Sequence, residues 1–332
     1  MLIDNDPDPL RRIHRPEFLP GLVSWAAARC DLGPVYRYRV CTVGYDDCNL
    51  LVETGTGRYV FKVFTIHRPE PLTTRYVEVI RTVLAAGVRH PRLHPSTGEA
   101  LLCHPPSGNR LIVMDHLAGG TFLDRDGHPN ADQLTDLMAQ VGRIHRIERD
   151  FAPVPDWWAV HEIDTLAREM LPLLPADDRV EVERAVASFG EVDRAVLPHV
   201  LVHGDLTKAN VLPTSPHQVA ILDFAVANRC PRVHELAMVV VNLMHGDPRS
   251  LGERVDALLG MYPAAPLTPA EHHALPRYVH ATAAMELLGA AREWVLKGNR
   301  SDETRYLIGL GRAGLRAARR YLEDGASVRR RR

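Results

Sequence analysis

Two short apolar runs, each ending on a carboxylate, constrain this chain more than any other feature. Val200-Leu201-Val202 delivers His203, Asp205 and Asn210 into the loop His203-Gly204-Asp205-Leu206-Thr207-Lys208-Ala209-Asn210-Val211-Leu212. Val219 to Leu222 then delivers Asp223, followed by Phe224, beside it. A single Asp or Asn in a loop is ordinarily turn chemistry. The spacing H-x-D-x4-N, followed by an apolar run ending in D-F, is far rarer by accident. Two buried strands that end in carboxylates, with an amide between them, suit holding Mg2+ on a nucleotide and accepting a proton from a hydroxyl.

These residues resemble the catalytic and metal-binding loops of the aminoglycoside phosphotransferase/choline kinase-like superfamily, which includes homoserine kinase-like members. In kinases of this kind an Asp accepts the substrate proton while a downstream Asn and Asp hold metal ions. The resemblance implies Asp205 as catalytic base, Asn210 and Asp223 as Mg2+ ligands, and His203 as a brace for the loop. Protein kinases carry Gly after D-F, whereas Ala225 stands here, as in many small-molecule members. The implied fold is α+β and two-lobed, protein-kinase-like. A five-stranded antiparallel N-lobe would precede a larger, mainly helical C-lobe, with ATP in the cleft between.

Composition agrees with an enzyme and narrows its setting. A chain of 332 residues can bury a sizeable core as one large or two modest domains. A net charge of -1 gives no general attraction to nucleic acid or membrane. Five scattered cysteines without a C-x-x-C pair read as reduced thiols, hence a cytoplasmic protein. The first twenty residues lack an apolar secretion core, and no stretch approaches the roughly 20 apolar residues of a membrane span.

Along the chain, residues 1–35 read as an N-terminal extension that wraps the surface or frays, apart from a helix at Leu22 to Cys30. Residues 36–117 read as the N-lobe. Strands are expected over Tyr36–Val43, Leu50–Thr54 and Arg58–Phe64, with a hairpin at Thr54-Gly55-Thr56-Gly57. Lys62 lies in the third strand. Two explanations fit: an edge strand with Lys62 in solvent, or a lysine reaching nucleotide phosphates. The resemblance implies the second, with Glu78 on the helix Thr73–Ala86 as its partner. The turn from Gly44 to Asn49 would cover the phosphates, although Asp46 and Asp47 would repel them unless they point outward. After a hairpin of Glu99–Cys103 and Arg110–Asp115, the resemblance places a hinge at Met114, Asp115 and Leu117. There Met114 would wall the adenine pocket, while a core-filling Met is the plain alternative. Gly119-Gly120 follows.

Residues 118–326 read as the helical C-lobe. Helices are expected over Ala131–Ile147, Asp164–Leu174, Asp177–Ser188, Met238–Met244, Thr268–Leu296 with a break at Pro276, and Asp302–Leu322. Glu235, in Glu235-Leu236-Ala237, reads as structural, bonding backbone or Arg232. Residues 327–332 form a basic tail, and a solvated end fits it better than a nucleic-acid arm.

The expected reaction moves the ATP γ-phosphoryl group to a hydroxyl of a small molecule, with ATP and Mg2+ as cofactors. The Arg-rich C-terminal helices favour a neutral, zwitterionic or carboxylate-bearing acceptor. An aminoglycoside-type antibiotic kinase, a peptide Ser/Thr kinase and a non-catalytic nucleotide-binding scaffold are the alternatives.

Overall fold

A computed structural model describes residues 8–42, 44–94, 99–263 and 265–329, with side chains to residue 323. The chain divides into two compact units: one runs to Ala85 and resumes over Arg89–Gly119, the other takes Ala86–Val88 and everything from Gly120 onward.

The first unit is built on a five-stranded antiparallel sheet. Its strands are β1 (Val35–Val40), β2 (Cys48–Thr54), β3 (Gly57–Val63), β4 (Leu102–Cys103) and β5 (Arg110–Asp115), ordered β1-β2-β3-β5-β4. Strand β2 alternates buried and half-buried residues, the period of a strand with one face on a core. Thr54 pairs with Gly57 to close the expected two-residue hairpin. Helix α1 (Leu19–Arg29) lays Leu22, Val23 and Ala26 against Leu50, Val52 and Phe61. The N-terminal segment therefore does more than wrap or fray, from Pro9 onward. Arg12 is buried and donates to the Gly44 carbonyl, while the Asn109 amide exchanges hydrogen bonds with the His14 backbone. Helix α2 (Glu70–Ala85) starts three residues earlier than the periodicity suggests.

The second unit is mainly helical: α3 (Ala131–His145), α4 (Ile163–Met170), α5 (Ala176–Gly190), α6 (Arg232–Met238), α7 (Leu251–Met261), α8 (Pro269–Leu296) and α9 (Asp302–Arg329). Helix α6 continues as a π-helical turn, Val239–Leu243. The break expected at Pro276 is absent, and α8 runs straight through it. A proline inside a helix costs about 3 kcal/mol, and the buried stripe Ala274, Leu275, Tyr278 and Val279 outweighs that. The basic run reaches Arg329 at the end of α9, and Arg330 to Arg332 lie outside the described residues.

Two hairpin-like ladders sit among these helices. The strands that lead to Asp205 and Asp223, β6 (His199–Val202) and β8 (Gln218–Ile221), do not pair with each other. Strand β6 pairs with β9 (Asn228–Pro231), and β8 pairs with β7 (Val211–Ser215). Both partners are short and interrupted by proline, which hid them from a reading by periodicity.

Candidate active site

In the first unit, Lys62 lies in β3, which β2 and β5 flank, so the edge-strand explanation fails. The side chain is 3% exposed, and its Nζ lies 3.1 Å from Asp47 Oδ2. Asp47 also accepts from the Thr65 N–H at 3.0 Å and from Arg68 at 3.4 Å. An ammonium in the middle of a sheet is tolerable only with such a partner. The two acids of the turn thus divide their roles: Asp46 is exposed, and Asp47 points inward, neutralised by Lys62 and Arg68. Glu78 is half-buried on α2, its carbonyl accepting from Thr82 Oγ1.

At the end of β5, Met114 is 7% exposed and paired with Val60 and Leu93. The Asp115 carboxylate is taken by His94 at 2.5 Å and Arg92 at 3.3 Å. Leu117 is half-buried, two residues beyond the strand.

In the second unit the loop after β6 is built from the backbone outward. Gly204 has φ +86°, and a Cβ there would stand 3.1 Å from the Val226 carbonyl oxygen, so glycine is required. His203 is fully buried. Its Nε2 donates to the Leu222 carbonyl at 2.7 Å, and its Nδ1 accepts from the Asp205 N–H at 3.1 Å. Burial pushes this imidazole down to about 4; it is a neutral strut joining the Asp205 loop to the residue before Asp223. The Leu222 N–H donates in turn to the Asn210 carbonyl at 2.8 Å, tying the segments a second time. Glu235, fully buried in the first turn of α6, accepts from the N–H groups of His203 at 2.8 Å and Gly204 at 3.0 Å. Its partner is therefore backbone; Arg232 instead pairs with Glu271.

Asn210 Nδ2 donates to Asp205 Oδ2 at 2.6 Å and to the Asp205 carbonyl at 3.0 Å. Both amide hydrogens are committed, leaving Oδ1 as the end that faces a ligand. Asp223 sits at φ +57°, a left-handed conformation that Asp tolerates because its Oδ1 accepts from the Ala225 N–H at 3.2 Å. An amide oxygen and a carboxylate are the hard oxygen donors that Mg2+ prefers, so the donor set fits the ion.

The Asp205 carboxyl is held well above the ordinary carboxylate range, first by burial and then by the charges of Asp156, Glu286 and Asp223. Sequence reading missed Asp156, Glu286 and the inward role of Asp47. Glu286 lies mid-helix in α8, where nothing in the periodicity marks it, and Asp156 stands in a loop among Trp and Pro residues. Two of the Arg residues of α9 pair with α5: Arg312 with Asp178 and Arg319 with Glu181.

No helix among the described residues is long and apolar enough to cross a membrane. Residues 37–273 match the model of a family described as the phosphotransferase enzyme family. A homoserine kinase of Paraburkholderia phymatum is 29% identical over 270 residues, covering 73% of this chain and 78% of that one. Among solved structures, a microcompartment-associated aminopropanol kinase superposes with a TM-score of 0.66 at 19% identity, covering 91% of this chain and 98% of that one. An amicoumacin kinase in complex with AMP-PNP, Ca2+ and Ami superposes with a TM-score of 0.63 at 16% identity, covering 89% and 92%.

Proposed function

The chain belongs to the phosphotransferase enzyme family, enzymes that phosphorylate hydroxyl groups of small molecules, and from that premise we propose ATP as donor and an amine-bearing alcohol as acceptor. The observation that carries this is the Asp205 carboxylate, fixed by Asn210 at 2.6 Å and surrounded by further carboxylates.

Asp205 is the base that orients and accepts the acceptor hydroxyl proton. A carboxylate whose proton affinity is raised by its surroundings takes that proton more readily. Asn210 steadies it, and His203 and Glu235 hold the loop so that the carboxylate does not reorganise during transfer. Asn210 Oδ1 and Asp223 would hold Mg2+, which neutralises charge on the nucleotide phosphates. Lys62, kept in place by Asp47 and with Glu78 as the further acid of the family pattern, steadies the α- and β-phosphates. Met114, Asp115 and Leu117 form the adenine-facing end of the same unit. Asp156 and Glu286 supply the negative field that favours a cationic amine on the acceptor. The similarity to a homoserine kinase supports an amino-acid alcohol, while a polycationic antibiotic suits the same two acids.

The test is ATP consumption against a panel of homoserine, other amino alcohols, choline-like alcohols, aminoglycosides and Ser/Thr peptides. Asp205→Asn should lower kcat for the accepted substrate by roughly 10²–10⁴-fold while nucleotide affinity changes little. Transfer persisting within tenfold in that variant would remove Asp205 as the base.

A further inference from the structure

We infer that the second unit carries an oxyanion subsite centred on Lys208, built to take a carboxylate or phosphate group. Lys208 stands in the same loop as Asp205 and is 4% exposed. Among the described residues its ammonium has no hydrogen-bond or ion-pair partner; the Tyr306 ring lies 5.7 Å from Nζ. Leaving an ammonium buried without an anion is costly. The backbone that carries it is fixed: its N–H donates to Asn242 Oδ1 at 2.9 Å and its carbonyl accepts from the Leu123 N–H at 3.1 Å.

The groups around it are predominantly cationic or donors. Gly246 is exposed, and a Cβ there would lie 3.9 Å from Lys208 Nζ and 3.9 Å from His128 Cδ2, so both side chains border one open point. The charges of Lys208 and Arg254 both act on His245. Arg254 donates to the backbone carbonyls of Arg249 and Asp247, so its own charge is not neutralised by them. The Asp247 carboxylate is engaged by Arg249 at 2.6 Å. The Tyr306 hydroxyl is buried with no hydrogen-bond partner among the described residues. Against these stand the exposed Asp126, which acts on Lys208, His245 and Tyr306, Asp247, which acts on Arg254, and Glu286, which acts on Tyr306. An oxyanion bound beside Nζ would supply the partner that the ammonium lacks, next to the Tyr306 ring.

The chemistry has two sources: a carboxylate on the acceptor itself, which rests on the function proposed above, or a free anion, which does not. Inorganic phosphate is the first probe, titrated into the full chain at constant ionic strength with AMP-PNP and Mg2+ present, with melting temperature as the readout. A saturable rise is expected, with its midpoint moved at least tenfold in Lys208→Met and less in Lys208→Arg. The second readout is the kcat/KM ratio of homoserine to its carboxamide. A ratio that falls at least tenfold in Lys208→Met identifies the acceptor's carboxylate as the anion. An unchanged ratio with lost phosphate binding identifies a free anion. If Lys208→Met does not fold, His245→Gln should shift the same two readouts in the same direction. If no acceptor is phosphorylated, the functional reading fails while the phosphate titration still decides this one. The inference is overturned if phosphate has no saturable effect beyond chloride, or an equal one in the variants, and the acceptor ratio stays constant.

Discussion

At the residue scale, each unit buries acids that are given different partners. Asp47 is neutralised by cations, whereas Glu235 is only hydrogen-bonded by two backbone N–H groups and Glu286 by one amide, Asn242 Nδ2 at 2.7 Å. Burial pushes both Glu235 and Glu286 up to about 7. A folded-state value above the ordinary one near 4.5 means that the folded chain binds more protons between those limits. Each glutamate therefore contributes stability that is present at pH 4.5 and is lost as pH rises through 7. We expect Glu286→Gln to remove about 3 kcal/mol of the stability change over that window, read from urea unfolding at several pH values. A slope unchanged by the substitution would show that Glu286 is ionised at no cost. Asp205, Asn210 and Asp223 could be singled out as candidates from the sequence because polar groups closing apolar runs are rare, and Lys62 because it interrupts one. Asp156 and Glu286 were not, since their nearness to Asp205 follows only from how the α8 region folds back.

At the element scale, α8 and α9 lie backbone to backbone. A Cβ on Gly311 would stand 2.6 Å from the Leu287 backbone nitrogen, whereas nothing lies within 4 Å of one on Gly309. Gly311→Ala should lower stability by roughly 1–3 kcal/mol, because backbone rather than a flexible side chain must yield. Gly309→Ala, on the exposed face of the same helix, should raise it by about 1 kcal/mol through helix propensity. Thermal unfolding of both variants decides the matter, and equal effects would refute the close approach. Both glycines look alike in the sequence. The same limit explains the strands: β6 and β8 were visible as apolar runs, while their partners β7 and β9 contain Pro213 and Pro231 and carry no period. Pro276 misled in the other direction, because a local preference for breaking α8 is overridden by packing around it.

At the scale of the whole molecule, the chain divides into two units, and the proposed ligands bring chemistry to each. A nucleotide at about 100 times its Kd should stabilise the chain by about 2.7 kcal/mol. With AMP-PNP the rise in melting temperature should require a divalent cation and vanish with EDTA. Asp223→Ala should lose the Mg2+-dependent part of that rise; a full response in this variant would remove Asp223 as a metal ligand. The sequence alone determined the reaction class, the kinase-like α+β architecture and the acids closing the apolar runs, because local spacing and strand or helix period encode them. Only the tertiary structure decided that Asp47 lies against Lys62, which groups hold the Asp205 loop, and that Lys208 is buried with no ion-pair partner among the described residues. Those facts are contacts between residues far apart in the chain, and no local pattern carries a distance.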